Sequence, residues 1–141
     1  METVPEGARS VADVGAGDGQ VALALARSGT RVIAIERTPR AVERLRRATA
    51  GWCEVRSGDG LSVLAPGEVE GCVIAGLGGL SIAGILGTAP EQLRALRWLV
   101  LGPHSDNHRL ELWLAGAGLR LREVRFVVER RRLYQIMVVQ S

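Results

Sequence analysis

Asp13-Val14-Gly15-Ala16-Gly17-Asp18-Gly19 follows an apolar run over residues 10–14 and opens an Ala/Leu-rich helical pattern over 20–28, closed by Gly29. A strand that turns into a helix through glycines lets a ligand approach the backbone closely, near the positive end of the helix dipole. The dinucleotide fingerprint G-x-G-x-x-G would need glycine at position 20, where Gln20 stands, so NAD and FAD fit poorly. The stretch therefore points to an α/β sheet with a ligand loop at the end of its first strand.

Working outward, apolar runs alternate with helical patterns, the sign of a parallel sheet covered on both faces. Strands are predicted at 31–35, 52–56, 71–75 and 98–101, the last ending at Gly102-Pro103. Thr38-Pro39 reads as N-cap and first helical residue of a helix with apolar positions Ala41, Val42, Leu45 and Ala48. Ile82, Ile85 and Leu86 share a short helix closed by Gly87, and 90–96 forms another. Ser105 or Asp106 caps a helix carrying Leu110, Trp113, Leu114 and Ala117. Residues 119–128 and 133–139 are joined by a link too short for anything but an antiparallel hairpin. The expected architecture is a single α/β domain over 1–141: a Rossmann-like, seven-stranded, mostly parallel sheet with an antiparallel last strand. Such sheets bind ligands outside the C-terminal strand ends.

The strand ends hold the unusual residues. Glu36 ends the second strand, where a carboxylate can accept hydrogen bonds from both hydroxyls of a ribose. Gly58-Asp59-Gly60 follows the third strand and is also good turn chemistry in its own right. The first stretch resembles the D-x-G-x-G-x-G motif of class I methyltransferases that use S-adenosylmethionine. That likeness implies an adenine-contacting acid at Asp59. It makes Asp13, Gly15, Gly17, Glu36, Arg37, Gly58, Asp59, Gly60, Ala75 and Gly76 the cofactor-binding set.

Four further segments occur in order: residues 56–64 (Arg56-Ser57-Gly58-Asp59-Gly60-Leu61 onward), Val73-Ile74-Ala75-Gly76-Leu77-Gly78-Gly79, residues 99–104 through Gly102-Pro103-His104, and Tyr134-Gln135-Ile136-Met137-Val138. Together they resemble the bacterial tRNA (adenine-22, N1)-methyltransferase family, over nearly the whole chain. The resemblance implies methylation of N1 of an adenine in tRNA, with tRNA as partner. It also implies a helical RNA-holding domain after the hairpin, where this sequence ends at Ser141, so weak, salt-dependent RNA binding is expected. Gly17-Asp18-Gly19-Gln20 replaces the family's D-H-G-Y segment, and Gly102 and His104 stand where it carries Gln and Asn. The Asn/Asp-Pro-Pro-aromatic motif of DNA and protein-glutamine N-methyltransferases does not stand at Ala75-Gly76-Leu77-Gly78.

Composition bounds the rest. The chain has 141 residues and a net charge of +3, and all 18 of its cations are arginine. No apolar run reaches the ~18 residues of a membrane span. The acidic N-terminus lacks a secretory h-region, so a cytoplasmic protein is expected. Cys53 and Cys72 are expected as free buried thiols. Two histidines without ligand-spaced partners leave no metal site. Asp18 and His104 are the polar candidates beside a reacting methyl group. Arg40, Arg44 and Arg47 read as a polar helix face and Arg130-Arg131-Arg132 as a hairpin tip, either of which could touch phosphate. Trp52, Trp98 and Trp113 read as core. A small-molecule or other-base methyltransferase, and a non-catalytic cofactor-binding module, stay open as alternatives, as does oligomeric state.

Overall fold

The protein is described as a computed structural model covering residues 4–129 and 131–140. Its strands are β1 (Ser10–Val14), β2 (Arg31–Glu36), β3 (Glu54–Ser57), β4 (Gly71–Ala75), β5 (Trp98–Gly102), β6 (Arg120–Glu129) and β7 (Arg132–Gln140). The helices are α1 (Gln20–Arg27), α2 (Pro39–Thr49), α3 (Gly79–Gly87), α4 (Pro90–Ala95) and α5 (Asn107–Gly116), with a 3-10 turn at Gly60–Val63. Strand order is β3-β2-β1-β4-β5-β7-β6. All pairings are parallel except those of β7 with β5 and β6, so only β7 runs against the rest. The chain first steps outward from β1 to β3 and then restarts on the other side of β1 with β4. That reversal between β1 and β4 opens a crevice at the C-terminal strand ends.

Side-chain alternation along the strands feeds two cores. Ala12, Val14, Ile33, Ile35, Ile74, Leu101 and Met137 pack with Ile82, Leu86, Leu110 and Leu114 on the α3–α5 face. Val11, Val32, Ala34, Val73 and Val100 pack with Ala22, Leu25 and Leu45 on the α1–α2 face. Leu45 has no exposed surface; truncating such a side chain to alanine costs ~2–5 kcal/mol.

Local chemistry sets the helix starts. Thr38 Oγ1 accepts the Ala41 N–H at 3.2 Å, with Pro39 as first helical residue. Gly29, at φ 97°, follows α1 as its sequence position predicts.

Three expectations need correction. Trp52 is 54% exposed rather than core, because β3 begins at Glu54 and Trp52 belongs to the turn after α2; its N–H bonds to the Thr49 carbonyl. Its ring instead lies 5.8 Å from the Arg27 guanidinium, a cation–π arrangement. Ala48 is exposed and Thr49 buried in its place, its hydroxyl satisfied by the Leu45 carbonyl at 2.9 Å. Asp106 occupies the N-cap position of α5 at φ 52° but makes no side-chain cap bond, and Ala117 lies exposed beyond the helix end.

Candidate functional site

The loop after β1 is shaped by its own backbone. Gly15, Gly17 and Gly19 have φ of 69°, 60° and 81°, in the left-handed region where a side chain is strained. Gly15 and Ala16 both donate N–H groups to the Ile35 carbonyl, at 3.0 and 3.3 Å, which fastens the loop to the end of β2. The Gly17 N–H reaches the Glu36 carboxylate at 2.8 Å. The Glu36 carbonyl in turn accepts the Gly58 N–H at 2.9 Å. Glu36 thus ties together the loops after β1, β2 and β3. One N–H uses little of a carboxylate's roughly four lone-pair sites, so further donors can be accepted.

A cleft of about 600 Å³ opens beside this knot. One wall is Val14, Gly15, Ile35, Glu36 and Arg37, with Gly58, Asp59, Gly60 and Ser62 along the rim. The opposite wall is Leu77 with Ser81, Gly84 and Ile85 of α3 and Thr88 at its C-terminal cap. This size suits a nucleoside-sized ligand, and a mostly apolar wall with a few placed acceptors is the usual composition of such a pocket. Arg37 and Asp59 pair across the rim at 2.9 Å, both about four-fifths exposed. An exposed pair contributes at most ~1 kcal/mol, so a ligand can displace it readily.

Of the sequence-predicted cofactor residues, Gly15, Glu36, Arg37, Gly58, Asp59 and Gly60 come together on the cleft wall. Gly17 joins through its bond to Glu36. Ala75 and Gly76 lie towards β5: the Gly76 N–H bonds to the Gly102 carbonyl at 3.0 Å. Asp18 is exposed and its carboxylate accepts the Gln20 N–H at 3.3 Å, at the start of α1. His104 is exposed, and its N–H bonds to the Leu77 carbonyl at 3.0 Å, which holds the loops after β4 and β5 together. The α3 wall was missed. Its signal was the helical spacing of the small residues Ser81, Gly84 and Thr88, which share a face with Ile85.

Asp13 lies beneath the loop on the α1–α2 side, 4% exposed. The Ala22 N–H bonds to its carboxyl, and Oδ2 is without a partner. Burial, reinforced by the charge of Glu36, pushes its pKa up to about 7. Cys53 and Cys72 are free, half-buried and buried respectively; burial and then the Asp13 charge push both thiols up, away from reactivity. Among the described residues no cluster of three His, Cys, Asp or Glu side chains could hold a metal ion, and no helix is long and apolar enough to cross a membrane.

Comparisons with known proteins agree with this geometry. A family model described as a methyltransferase domain matches residues 1–137. The tRNA (adenine(22)-N(1))-methyltransferase of Bacillus subtilis is 32% identical over 87 residues, which are 62% of this chain and 37% of that relative. The crystal structure of the B. subtilis m1A22 tRNA methyltransferase superposes with a TM-score of 0.92 at 27% identity, over 99% of this chain and 62% of that one. A Streptococcus pneumoniae protein solved in complex with S-adenosyl-L-methionine has the same fold, with a TM-score of 0.88 at 24% identity over 95% of this chain and 67% of that one.

Proposed function

The chain belongs to the methyltransferase-domain family, and we propose that it transfers a methyl group from S-adenosylmethionine to N1 of an adenine in tRNA. The observation that carries the cofactor half is the knot at the crevice: a glycine loop after β1 whose Gly17 N–H is held by Glu36. The donor set fits a nucleoside. Glu36 would take the ribose hydroxyls, Asp59 the adenine amino group once Arg37 swings aside, and Leu77 with Ile85 the faces of the ring. The substrate half is supported by the B. subtilis relative, which is named for adenine-22 N1 of tRNA. The cytoplasm is the compartment we infer for it, since a tRNA substrate would be met there.

When bound, the cofactor supplies an electrophilic methyl group on a sulfonium. Adenine N1 carries an in-plane lone pair and attacks without prior deprotonation, so the protein need supply no strong base. What its residues do is align donor and acceptor in line and exclude water, which can account for several kcal/mol of the barrier. His104, holding the loops after β4 and β5 at the crevice, is the residue we place nearest the incoming base. Asp18 serves the start of α1.

Methyl transfer from labelled cofactor to bulk tRNA, followed by nucleoside analysis, tests both halves. Label in 1-methyladenosine is expected. Cofactor binding without label in tRNA would overturn the substrate half, and absence of cofactor binding would overturn the whole reading.

A further inference from the structure

The arginines are not spread evenly over the chain. Residues 37–52 hold five of them against one acid, Glu43, a net +4, while the other 125 residues hold thirteen arginines and fourteen acids, a net −1. Several arginines elsewhere are matched: Arg31 and Arg56 to Glu54 and Glu68, and Arg125 to Glu123. Arg40, Arg44, Arg46 and Arg47 of α2 are all exposed and, among the described residues, form no ion pair. At about 3.6 residues per turn, Arg40, Arg44 and Arg47 stand together opposite the buried stripe of Val42, Leu45 and Thr49.

Helix stability does not explain this row. Like charges three and four residues apart repel along a helix. Only Arg46 and Arg47 lie in the last turn, where the helix dipole favours a cation; Arg40 lies in the first turn, where it does not. An anion lying along the helix would relieve both effects.

The row leads to an exposed ring. α2 ends at Ala50, at φ 46°, and Gly51, at φ 83°, turns the chain so that the Trp52 N–H reaches the Thr49 carbonyl at 2.8 Å. Trp52 is left 54% exposed, with the Arg27 guanidinium of α1 at 5.8 Å from its ring centroid. Arginines that track phosphates, together with an aromatic ring that takes a base, are the materials of single-stranded nucleic-acid surfaces. Clustered charge of one sign along a helix is the footprint of a polyanion site.

We propose that the exposed face of α2, from Arg40 to Trp52, is the RNA-docking surface of this chain, with Arg40, Arg44 and Arg47 on phosphates and Trp52 stacking on an unpaired base. The choice of RNA among polyanions rests on the tRNA reading above. The row starts three residues after Arg37, which lines the cleft, so RNA lying along α2 is led to the crevice.

Binding of unmodified tRNA is titrated from about 20 to about 200 mM salt for the wild type and three variants, with cofactor affinity measured alongside. The variants are the triple Arg40→Gln/Arg44→Gln/Arg47→Gln, Trp52→Leu, and a charge-matched control on α4, α5 and β6, Arg94→Gln/Arg109→Gln/Arg120→Gln. The α2 triple is expected to lower the log–log salt slope by about 2, since each phosphate contact contributes ~0.7–0.9. It removes like charges from one helix and should melt no lower than the wild type. Trp52→Leu should weaken binding roughly fivefold or more with the slope unchanged, because a stacking surface is lost and no charge. It should also abolish the quenching of tryptophan fluorescence that tRNA causes in the wild type. Neither variant should alter cofactor affinity, and the control should bind tRNA as the wild type does. A control that loses as much as the α2 triple would overturn the proposal in favour of diffuse attraction. Unchanged affinity and quenching in Trp52→Leu would overturn it too, as would undetectable wild-type binding at the lowest salt. Tighter binding to phosphatidylglycerol vesicles than to tRNA, lost in the α2 triple, would overturn it in favour of a membrane surface. If tRNA binds through α2 but receives no methyl group, the docking surface stands and the tRNA methylation reading falls. If tRNA is methylated while the α2 triple keeps the wild-type slope, that reading stands and the docking surface falls.

Discussion

The loop after β1 and the hairpin of β6 and β7 stand at the same end of one sheet and are built from different materials. The loop is almost all backbone. Three glycines at positive φ turn the chain, the Ile35 carbonyl accepts two of its N–H groups, and a single carboxylate, Glu36, receives a third. The hairpin is almost all side chain. Its strands pair along most of their length, with one register shift between Leu121 and Glu123, and Phe126, Val128 and Leu133 are exposed on it. A backbone cradle is rigid and admits one shape of ligand, whereas exposed side chains tolerate many sequences and, where charged, draw a ligand in from a distance. The division suits the proposed reaction, in which a small cofactor is held in one pose and a large polyanion is drawn in.

Each end of that contrast can be broken separately. The largest effect is expected from Gly15→Val. A β-branched residue at φ 69° is strained, and its side chain enters the cleft, although the Cβ itself would meet Leu77 only at an ordinary 3.6 Å. Cofactor binding by calorimetry should vanish while circular dichroism shows a folded protein.

Asp13→Asn comes next and concerns stability against pH. The folded protein holds this proton up to about pH 7, whereas the unfolded chain releases it near 3.8. The folded state thus binds more protons between these values, and Asp13 destabilises it increasingly as pH rises through that window. The Asn variant should melt higher than the wild type at pH 8, by on the order of 2–4 kcal/mol, and the advantage should disappear towards pH 4. An equal advantage at both pH values would show that the gain is not electrostatic.

Glu36→Ala should weaken S-adenosylmethionine by ~1–3 kcal/mol, the loss of charge-assisted hydrogen bonds, with the RNA salt slope unchanged. A changed slope would mean that the cofactor loop and the RNA surface are not separable.

Glu68→Gln removes a bidentate partner of Arg56, held at 2.8 and 2.5 Å beneath β3. Hydrogen bonding from Arg56 lowers the Glu68 pKa to about 2 from 4.5, so this stabilisation is full above about pH 4.5 and is lost as pH falls towards 2. Melting curves should show a deficit of ~1 kcal/mol at pH 6 that shrinks across that acid window. The smallest effect on stability belongs to Phe126→Leu, within ~0.5 kcal/mol because the ring is 65% exposed; a larger drop in melting temperature would show that the ring packs against the hairpin.

Local chemistry determined much of this molecule from the sequence alone. Thr38-Pro39 starts a helix wherever it stands, because the hydroxyl and the fixed proline φ act on the next few residues. The seven strands, the hairpin and the loop of Gly15, Gly17 and Gly19 were legible for the same reason: periodicity and turn chemistry are properties of neighbours in the chain. Glu36 as a strand-end acid was legible too. The link from its carboxylate to the Gly17 N–H, nineteen residues back, was not. Neither was the α3 wall of Ser81, Gly84 and Ile85, whose facing surface is contributed by β1 and β2. Trp52 was misplaced because apolarity alone does not tell a core ring from one lying against an arginine, and only the folded chain brings Arg27, at the end of α1, to the turn after α2. The pKa of Asp13 and the reach of the hairpin past β5 likewise depend on which distant segments lie alongside. Burial and register are sums over residues far apart in sequence, and only the folded chain brings those residues together.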